Sequence, residues 1–384
     1  MEDINIAIII TTNCNLNCTY CVNNSGKDLK IKLNNNDQEE WKSSEQIIES
    51  LIKISKIRNI KFIKFFGGEP LLRQNIIKDI IKKKQLYANG NEIRFALTTN
   101  AYHEIKDSLL LFFKKNRVIL NVSLDGPEKI NNAARIPKDD GNCFNAVLKN
   151  IMKIRELNYP FAIISVIDER VINNKYTLLD LSKFISKFTD VYKFEPVYKF
   201  NSVDKKVEYQ ELLLSQLNQL VEKAFVGIKS LDPSNYIYEN GIYRTIVNAV
   251  YNKHKKYVCS AHQLMALYPN GSCYACYNLA NNNYLITKSL LNEDLQILSE
   301  NLRIIEEKLK IEKFPSEYKE IEFFGDHCPK DNNFESFAYN FKKTMVEKVL
   351  GELKSIQPGT PAHLSLINYI GYGVDKKYMK NVSI

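Results

Sequence analysis

The sequence has no apolar run long enough to cross a bilayer. Stretches such as Ile6–Ile10 and Phe161–Ile164 fall far short of the ~20 residues a spanning helix needs. It also lacks a basic region at its start. Glu2 and Asp3 stand where a signal peptide would carry positive charge, so a cytoplasmic protein is expected. Glycine is scarce, 14 in 384 residues, which makes any Gly pair conspicuous. No internal repeat or low-complexity linker is present, which excludes a solenoid. Hydrophobic residues at 45% and charged residues at 25% exclude disorder as the main state.

At about 150 residues per domain, the length suits one large domain and a smaller one, or two comparable ones. The net charge of +9 would suit an acidic partner, a peptide or nucleic acid. A solvated Lys-rich surface is the plainer reading, so nucleic acid is not expected, nor a membrane.

From Ile6 to Val197 short apolar runs alternate with segments of helical spacing. Buried strands are expected at Ile6–Ile10, Phe62–Phe66, Arg94–Leu97, Val118–Leu124, Phe161–Ile167 and Val191–Val197. Helical faces lie between them: Ile47, Ile48, Leu51 and Ile52, then Ile105, Leu109 and Phe112, then Phe144, Val147, Leu148 and Ile151, then Leu181, Phe184, Ile185 and Phe188. Ser43-Ser44-Glu45-Gln46 before the first fits a capping box. Six strands each followed by a helix predict a parallel α/β sheet, doubly wound or curled toward a barrel. Lys27–Lys42 reads as a long loop and Tyr209–Phe225 as a further helix. Met265–Cys276 reads as a hairpin about Asn270-Gly271, a strong tight-turn signal. Leu291–Ile311 and Phe334–Leu350 read as helices.

Eight cysteines without a secretion signal point to metal binding or catalysis rather than disulfides. Three of them, Cys14, Cys18 and Cys21, follow the first strand as C-x3-C-x2-C. Their spacing would also suit one face of a helix, but Asn13, Asn15, Asn17, Asn23 and Asn24 make a poor helix. A structural zinc would want a fourth local Cys or His, and none follows. Three thiolates in a short loop can hold three irons of a cubane and leave the fourth open.

Here the chain resembles the radical S-adenosylmethionine (SAM) enzymes of the SPASM/twitch-containing, peptide-modifying subgroup. Tyr20 is the aromatic before the last Cys. Gly67-Gly68-Glu69-Pro70 resembles that family's GGEP motif, which meets the methionine ammonium. Thr98-Thr99-Asn100 resembles TTNG, with Ala101 in place of Gly. Ser123-Leu124-Asp125-Gly126-Pro127 with Arg135 resembles S-x-D-G-P…R. The resemblance implies a partial (β/α)6 TIM-like barrel over about residues 4 to 200. It implies that Cys14, Cys18 and Cys21 bind a [4Fe–4S] cluster and that Ser123 and Arg135 hold the SAM carboxylate. Asn100 and Asp125 would reach the ribose or the substrate.

Cys259 and Gly271-x4-Cys276 resemble the opening of the SPASM and twitch domains, and His327-Cys328-Pro329 their closing Cys-Pro. With too few Cys for two clusters, one auxiliary iron–sulfur cluster is expected, held by Cys259, Cys273, Cys276 and Cys328. Cys273 is this chain's own departure, with His262 and His327 as alternatives. A structural zinc on the same cysteines is the competing assignment. Cys143 is expected to cap or pack the helix it begins.

The chain is thus expected to divide into a radical SAM barrel at 1–205, a helical linker at 206–252, an auxiliary-cluster domain at 253–335 and a helical extension at 336–384. The resemblance implies reductive SAM cleavage and hydrogen abstraction from a ribosomally made peptide, forming a thioether or carbon–carbon crosslink or an epimer. A small-molecule radical SAM dehydrogenase is the alternative enzyme. A sulfatase maturase is disfavoured, since Tyr277 stands where that group has Asp after the cysteine. A non-catalytic zinc-binding interaction protein is the alternative from another class. Expected partners are a precursor peptide and a reductant such as flavodoxin or ferredoxin. With the first strand beginning by residue 4, a separate leader-binding protein is a further expectation.

Overall fold

The computed structural model describes residues 1–21, 41–90, 92–197, 206–251, 253, 263–277, 282–311 and 336–375. All six expected strands form: β1 (Asp3–Thr11), β2 (Asn59–Gly67), β3 (Arg94–Thr99), β4 (Ile119–Ser123), β5 (Phe161–Ile167) and β6 (Tyr192–Pro196). Three more follow, β7 (Leu264–Leu267), β8 (Cys273–Tyr274) and β9 (Leu285–Thr287). The chain packs as two compact units. One takes in Met1–Asn121, Ala134–Ala146 and Cys259–Lys313; the other takes in Val122–Ala133, Val147–Val258 and Phe314–Ile384.

In the first unit β1 is central, paired in parallel with β2 on one side and β7 on the other. β2 continues in parallel to β3. β1 is buried on both faces: Ile4, Ile6, Ile8 and Ile10 on one are at most 1% exposed, and Ala7, Ile9 and Thr11 on the other at most 6%, as parallel sheets require. Helix Ser44–Ser55 covers one face with Ile47, Ile48, Leu51 and Ile54. It starts where expected, but Ser43 makes no side-chain cap. Gln46 accepts the Lys42 N–H at 2.9 Å instead, so the capping box does not close. Most of the expected Lys27–Lys42 loop lies outside the described residues. At its end the Trp41 indole donates to the Ile9 carbonyl at 2.8 Å.

The hairpin forms as read. Gly271 donates to the Tyr268 carbonyl at 2.9 Å with φ +80°, a conformation glycine takes at no steric cost. What periodicity did not disclose is that β7 joins β1 edge to edge, while β8 and β9 extend it antiparallel. A four-residue apolar strand names no partner.

In the second unit β5 and β6 pair in parallel, and helix Leu178–Ile185 begins with a closed capping box of Thr177 and Asp180. The expected helix at Tyr209–Phe225 runs Lys206–Lys229. It packs with Phe337–Lys354 and with Pro361–Asp375, both within the stretch expected to be helical. Among the described residues no helix is long and apolar enough to cross a membrane.

Candidate functional site

The first unit brings the N-terminal cysteines together with three of the other motifs. After β1 the chain turns into Asn13–Cys21 without forming a helix. This loop is laced to the segment around Arg135. Asn17 donates to the Ile136 carbonyl at 2.7 Å, Thr19 to that of Ala134 at 3.1 Å, and Lys138 to that of Asn15 at 3.1 Å. Arg135 is 5% exposed, and its guanidinium carbon lies 5.6 Å from the centre of the Tyr20 ring, a cation–π distance. Two motifs more than 110 residues apart in sequence thus share one hydrogen-bonded frame.

The glycines have a packing role within the chain itself. Gly67 has φ +135°, and a Cβ there would sit 2.3 Å from the Thr11 carbonyl oxygen. A Cβ on Gly68 would sit 2.1 Å from the Asn13 oxygen. What approaches these glycines is the chain's own cysteine loop. Gly68 and Glu69 donate their N–H groups to Thr11 and Asn13, each at 2.8 Å. The Gly-Gly pair lets the end of β2 close against the start of the loop.

Glu69 is 3% exposed. Its carboxylate accepts from Leu71 N at 3.0 Å, Thr99 Oγ1 at 2.7 Å and Asn100 N at 2.7 Å. Burial raises its pKa, and these bonds together with the nearby Arg135 charge oppose the rise. Glu69 therefore ties the end of β2 to the end of β3. Asn100 is held by it and reaches the loop: its Nδ2 donates to Asn15 Oδ1 at 2.7 Å and lies 3.6 Å from Cys14 Sγ. Ala101, in the place of the motif's glycine, has φ +50°.

Cys14 also receives the Leu16 N–H at 3.5 Å. Burial pushes its thiol pKa up. The Leu16 bond opposes that, the Glu69 and Cys21 charges add to it, and the Asn100 amide opposes it. Cys18 and Cys21 are half-buried and close a turn, Cys21 N donating to the Cys18 carbonyl at 3.1 Å. Amide donors aimed at a sulfur are the outer-shell partners that tune a thiolate ligand. The Asn15 Nδ2 is buried with no hydrogen-bond partner among the described residues. Three soft donors in one loop, with amides directed at the first of them, fit an iron–sulfur cluster. Among the described residues no three His, Cys, Asp or Glu side chains converge as ligands of one metal ion; a cubane spreads its thiolates over three irons.

Ser123 and Asp125 belong to the second unit. Ser123, half-buried, ends β4. Asp125 is fully buried and internally engaged, which departs from the expected reach toward ribose or substrate. It accepts Val166 N at 3.1 Å and Arg170 Nη1 at 3.0 Å. Arg170 in turn bonds Asp168 at 2.7 Å. A carboxylate held so is a strut for the β4–β5 ends.

Cys273 opens β8 and is 0% exposed, with its pKa raised by burial. Cys276, 7% exposed, lies three residues on. Tyr277 follows and packs against Phe66 at 4.8 Å. Cys259, Cys328, His262 and His327 lie outside the described residues, so the auxiliary ligand set is not assembled here. Cys143 is buried at the start of its helix; the capping oxygen is that of Asn142, which accepts Asn145 N at 3.0 Å.

Asn15 and Thr99 are site residues to which the motif reading gave no role, Thr99 standing there only as part of Thr98-Thr99-Asn100. Asn15 had counted only against a helix, and its position between two cysteines was the available signal.

Residues 8–174 match the Radical SAM superfamily. The chain contains a radical SAM domain, which implies a [4Fe–4S] cluster and SAM. It is 32% identical over 162 residues to the uncharacterised protein MJ0907 of Methanocaldococcus jannaschii, covering 42% of this chain and 52% of that protein. It is 26% identical over 191 residues to the cysteine-type anaerobic sulfatase-maturating enzyme of Clostridium novyi, covering 46% of each. The chain thus spans about half the length of these relatives. Its fold matches the solved structure of anSMEcpe with bound AdoMet at a TM-score of 0.72 and 16% identity, over 92% of this chain and 99% of that one. The same protein solved with AdoMet and a Cp18Cys peptide matches at 0.71 and 15%, over 97% and 99%. The fold is therefore mixed α/β with a TIM-like radical SAM core and a C-terminal region.

Proposed function

We propose that this protein is a radical SAM enzyme that modifies a ribosomally made peptide, forming a thioether or carbon–carbon crosslink or an epimer. The observation that carries the enzyme reading is the frame around Cys14: the cysteine loop bonded to the Arg135 segment and to Asn100. When bound, a [4Fe–4S] cluster and SAM would supply the radical chemistry, reductive cleavage of the sulfonium followed by hydrogen abstraction from substrate. Cys14, Cys18 and Cys21 would hold the cluster. The Asn100 amide and the Leu16 N–H would steady the sulfur of Cys14. Arg135, buried against Tyr20, would pair with the methionine carboxylate. Glu69 keeps Asn100 in position, and burial of the motif excludes water that would quench a radical.

Two things support the peptide substrate: the S-x-D-G-P…R resemblance, and the likeness in fold to anSMEcpe, which was solved with a Cp18Cys peptide. Cys273 and Cys276, with Cys259 and Cys328, are proposed to hold one auxiliary iron–sulfur cluster. A precursor peptide, a flavodoxin- or ferredoxin-type reductant and a separate leader-binding protein are the proposed partners.

Anaerobic reconstitution tests this. The expected result is brown protein with bound iron and sulfide that releases 5′-deoxyadenosine from SAM under reductant. Replacing Cys14, Cys18 and Cys21 together by Ala removes one cubane's worth of iron and all release. Colourless protein with zinc, or full iron in the triple variant, overturns the assignment. A short open reading frame beside the gene supplies the peptide whose mass change decides the substrate class.

A further inference from the structure

Strands β2, β3 and β4 carry side chains in rungs on one shared face. The lower rung is apolar: Phe62, Ala96 and Ile119 pack as one cluster and are at most 7% exposed. Two residues further along β3 and β4, on the same face, stand Thr98 and Asn121. Asn121 donates its Nδ2 to Thr98 Oγ1 at 3.4 Å. Phe66 lies level with Thr98, one residue past the Phe65–Leu97 register pair. Lys64, in register with Ala7 and Ala96, turns its ammonium onto the Phe66 and Tyr277 rings at 4.9 and 5.6 Å. The face opens at this level, where Thr98 and Phe66 are half-buried. Two residues beyond Thr98, the Asn100 amide bonds Asn15 at 2.7 Å and lies 3.6 Å from Cys14 Sγ. β3 thus leads from the apolar rung, past the Thr98–Asn121 pair, to the cysteine loop.

Asn121 is 0% exposed, and its Oδ1 has no hydrogen-bond partner among the described residues. Its bond to Thr98 uses the threonine oxygen and leaves the O–H proton to give. The pair therefore presents one acceptor and one donor. Turning the amide over leaves the same count: Thr98 then gives its proton to Oδ1, Nδ2 keeps a donor and Oγ1 keeps a lone pair. Val and Leu would fill the two places without a buried polar atom to satisfy, so packing alone does not call for this pair. A buried polar atom left open marks a place where a ligand or a water completes the bonding. A carboxylate brings acceptors only and an ammonium donors only, whereas a carboxamide brings both.

We propose that Thr98 and Asn121 form a specificity pair for the substrate and select a residue with a neutral side-chain carboxamide, Asn121 Oδ1 accepting its N–H and Thr98 Oγ1 donating to its carbonyl oxygen. The proposal rests on the peptide reading above and adds the chemical class of the residue bound. The apolar rung beneath the pair receives no part of that residue, because Phe62, Ala96 and Ile119 already fill it.

The test is anaerobic titration calorimetry on the reconstituted full chain with three blocked peptides, acetyl-Gly-Asn-Gly-amide, acetyl-Gly-Asp-Gly-amide and acetyl-Gly-Leu-Gly-amide. Their backbone amides are the same, so differences report the side chain. The wild type is expected to bind the Asn peptide at least tenfold more tightly than either other. Thr98→Ser, which keeps the hydroxyl, is expected to retain that preference; Thr98→Val and Asn121→Leu are expected to lose it. A purely structural role would lower the melting temperature of Thr98→Val and leave the ratio of affinities where it was. Less than tenfold preference in the wild type, as when a water alone fills the place, overturns the proposal. So do no binding of the Asn peptide at millimolar concentration, loss of the preference in Thr98→Ser, or its survival in Thr98→Val. Should Asn121→Leu fail to fold, the wild type and the two Thr98 variants decide. Absence of 5′-deoxyadenosine release from the wild type would defeat the enzyme reading separately, since the binding measurement does not depend on it.

Discussion

The carboxylate of Glu69 and the backbone N–H of Asn100 meet at 2.7 Å, 31 residues apart in sequence. Through that bond the end of β2 sets where Asn100 stands, and Asn100 in turn bonds the cysteine loop. Glu69→Ala strips acceptors from three donors, two of them backbone N–H groups. At ~1–3 kcal/mol for each buried group left unsatisfied, stability is expected to fall by more than about 2 kcal/mol, with weaker retention of iron. Glu69→Gln keeps one acceptor oxygen and is expected to lose less. Urea midpoints and iron counts on the same preparations check both.

Gly68 is required by the close passage of Asn13. Gly68→Ala forces a Cβ against a backbone oxygen at 2.1 Å, which side-chain rotation cannot relieve. A loss of about 1–3 kcal/mol is expected, with lowered cluster uptake. Gly351, within helix Phe337–Lys354, would place its Cβ in open space. Gly351→Ala is expected to gain about 0.5–1 kcal/mol and leave iron content unchanged. Thermal melts of the pair separate crowding from chain entropy.

Asp125 and Arg170 form a buried pair at 3.0 Å, with side chains 0% and 10% exposed. Removing Asp125 leaves Arg170 paired with Asp168 but strips the acceptor from Val166 N and from one Arg170 N–H, at roughly 1–3 kcal/mol for each buried group left unsatisfied. Asp125→Ala is therefore expected to unfold at markedly lower denaturant. A residue that served only ribose or substrate would leave the unfolding midpoint in place, so the midpoint distinguishes the two roles.

Glu239 caps helix Asn240–Val250 by accepting Ile242 N at 2.8 Å, and it also accepts Phe194 N at 3.0 Å. Burial outweighs these bonds and raises its carboxyl from 4.5 to about 7. Between those values the folded chain holds a proton that the unfolded chain has released. Its contribution to stability is fully present below about pH 4.5 and is lost as pH rises through 7. At ~1.4 kcal/mol per pH unit the loss is about 3 kcal/mol. Glu239→Gln is expected to flatten that slope in denaturant midpoints measured from pH 5 to 8.

The six-strand rhythm was legible because each strand is a short apolar run bounded by helical spacing, and the runs need no partner to be recognised. The cysteine loop was legible for the same reason: its chemistry is local, three thiols in eight residues. Glycine scarcity made Gly67-Gly68 visible, but not its cause, since the atom that crowds Gly68 belongs to Asn13. Asp125 and Asn100 looked alike as polar residues at strand ends. Folding gave one an arginine and left the other against a cysteine.

Residue order alone determined the strands, the thiol triad and the tight turn at Gly271, because each depends on neighbours within about ten positions. Tertiary structure decided which polar groups became struts and which face the thiols, and it seated β7 beside β1 with Lys64 in a row of alanines. Those outcomes depend on which strands lie side by side and in what register, and hydrogen bonding between strands sets that, not any property a single strand carries.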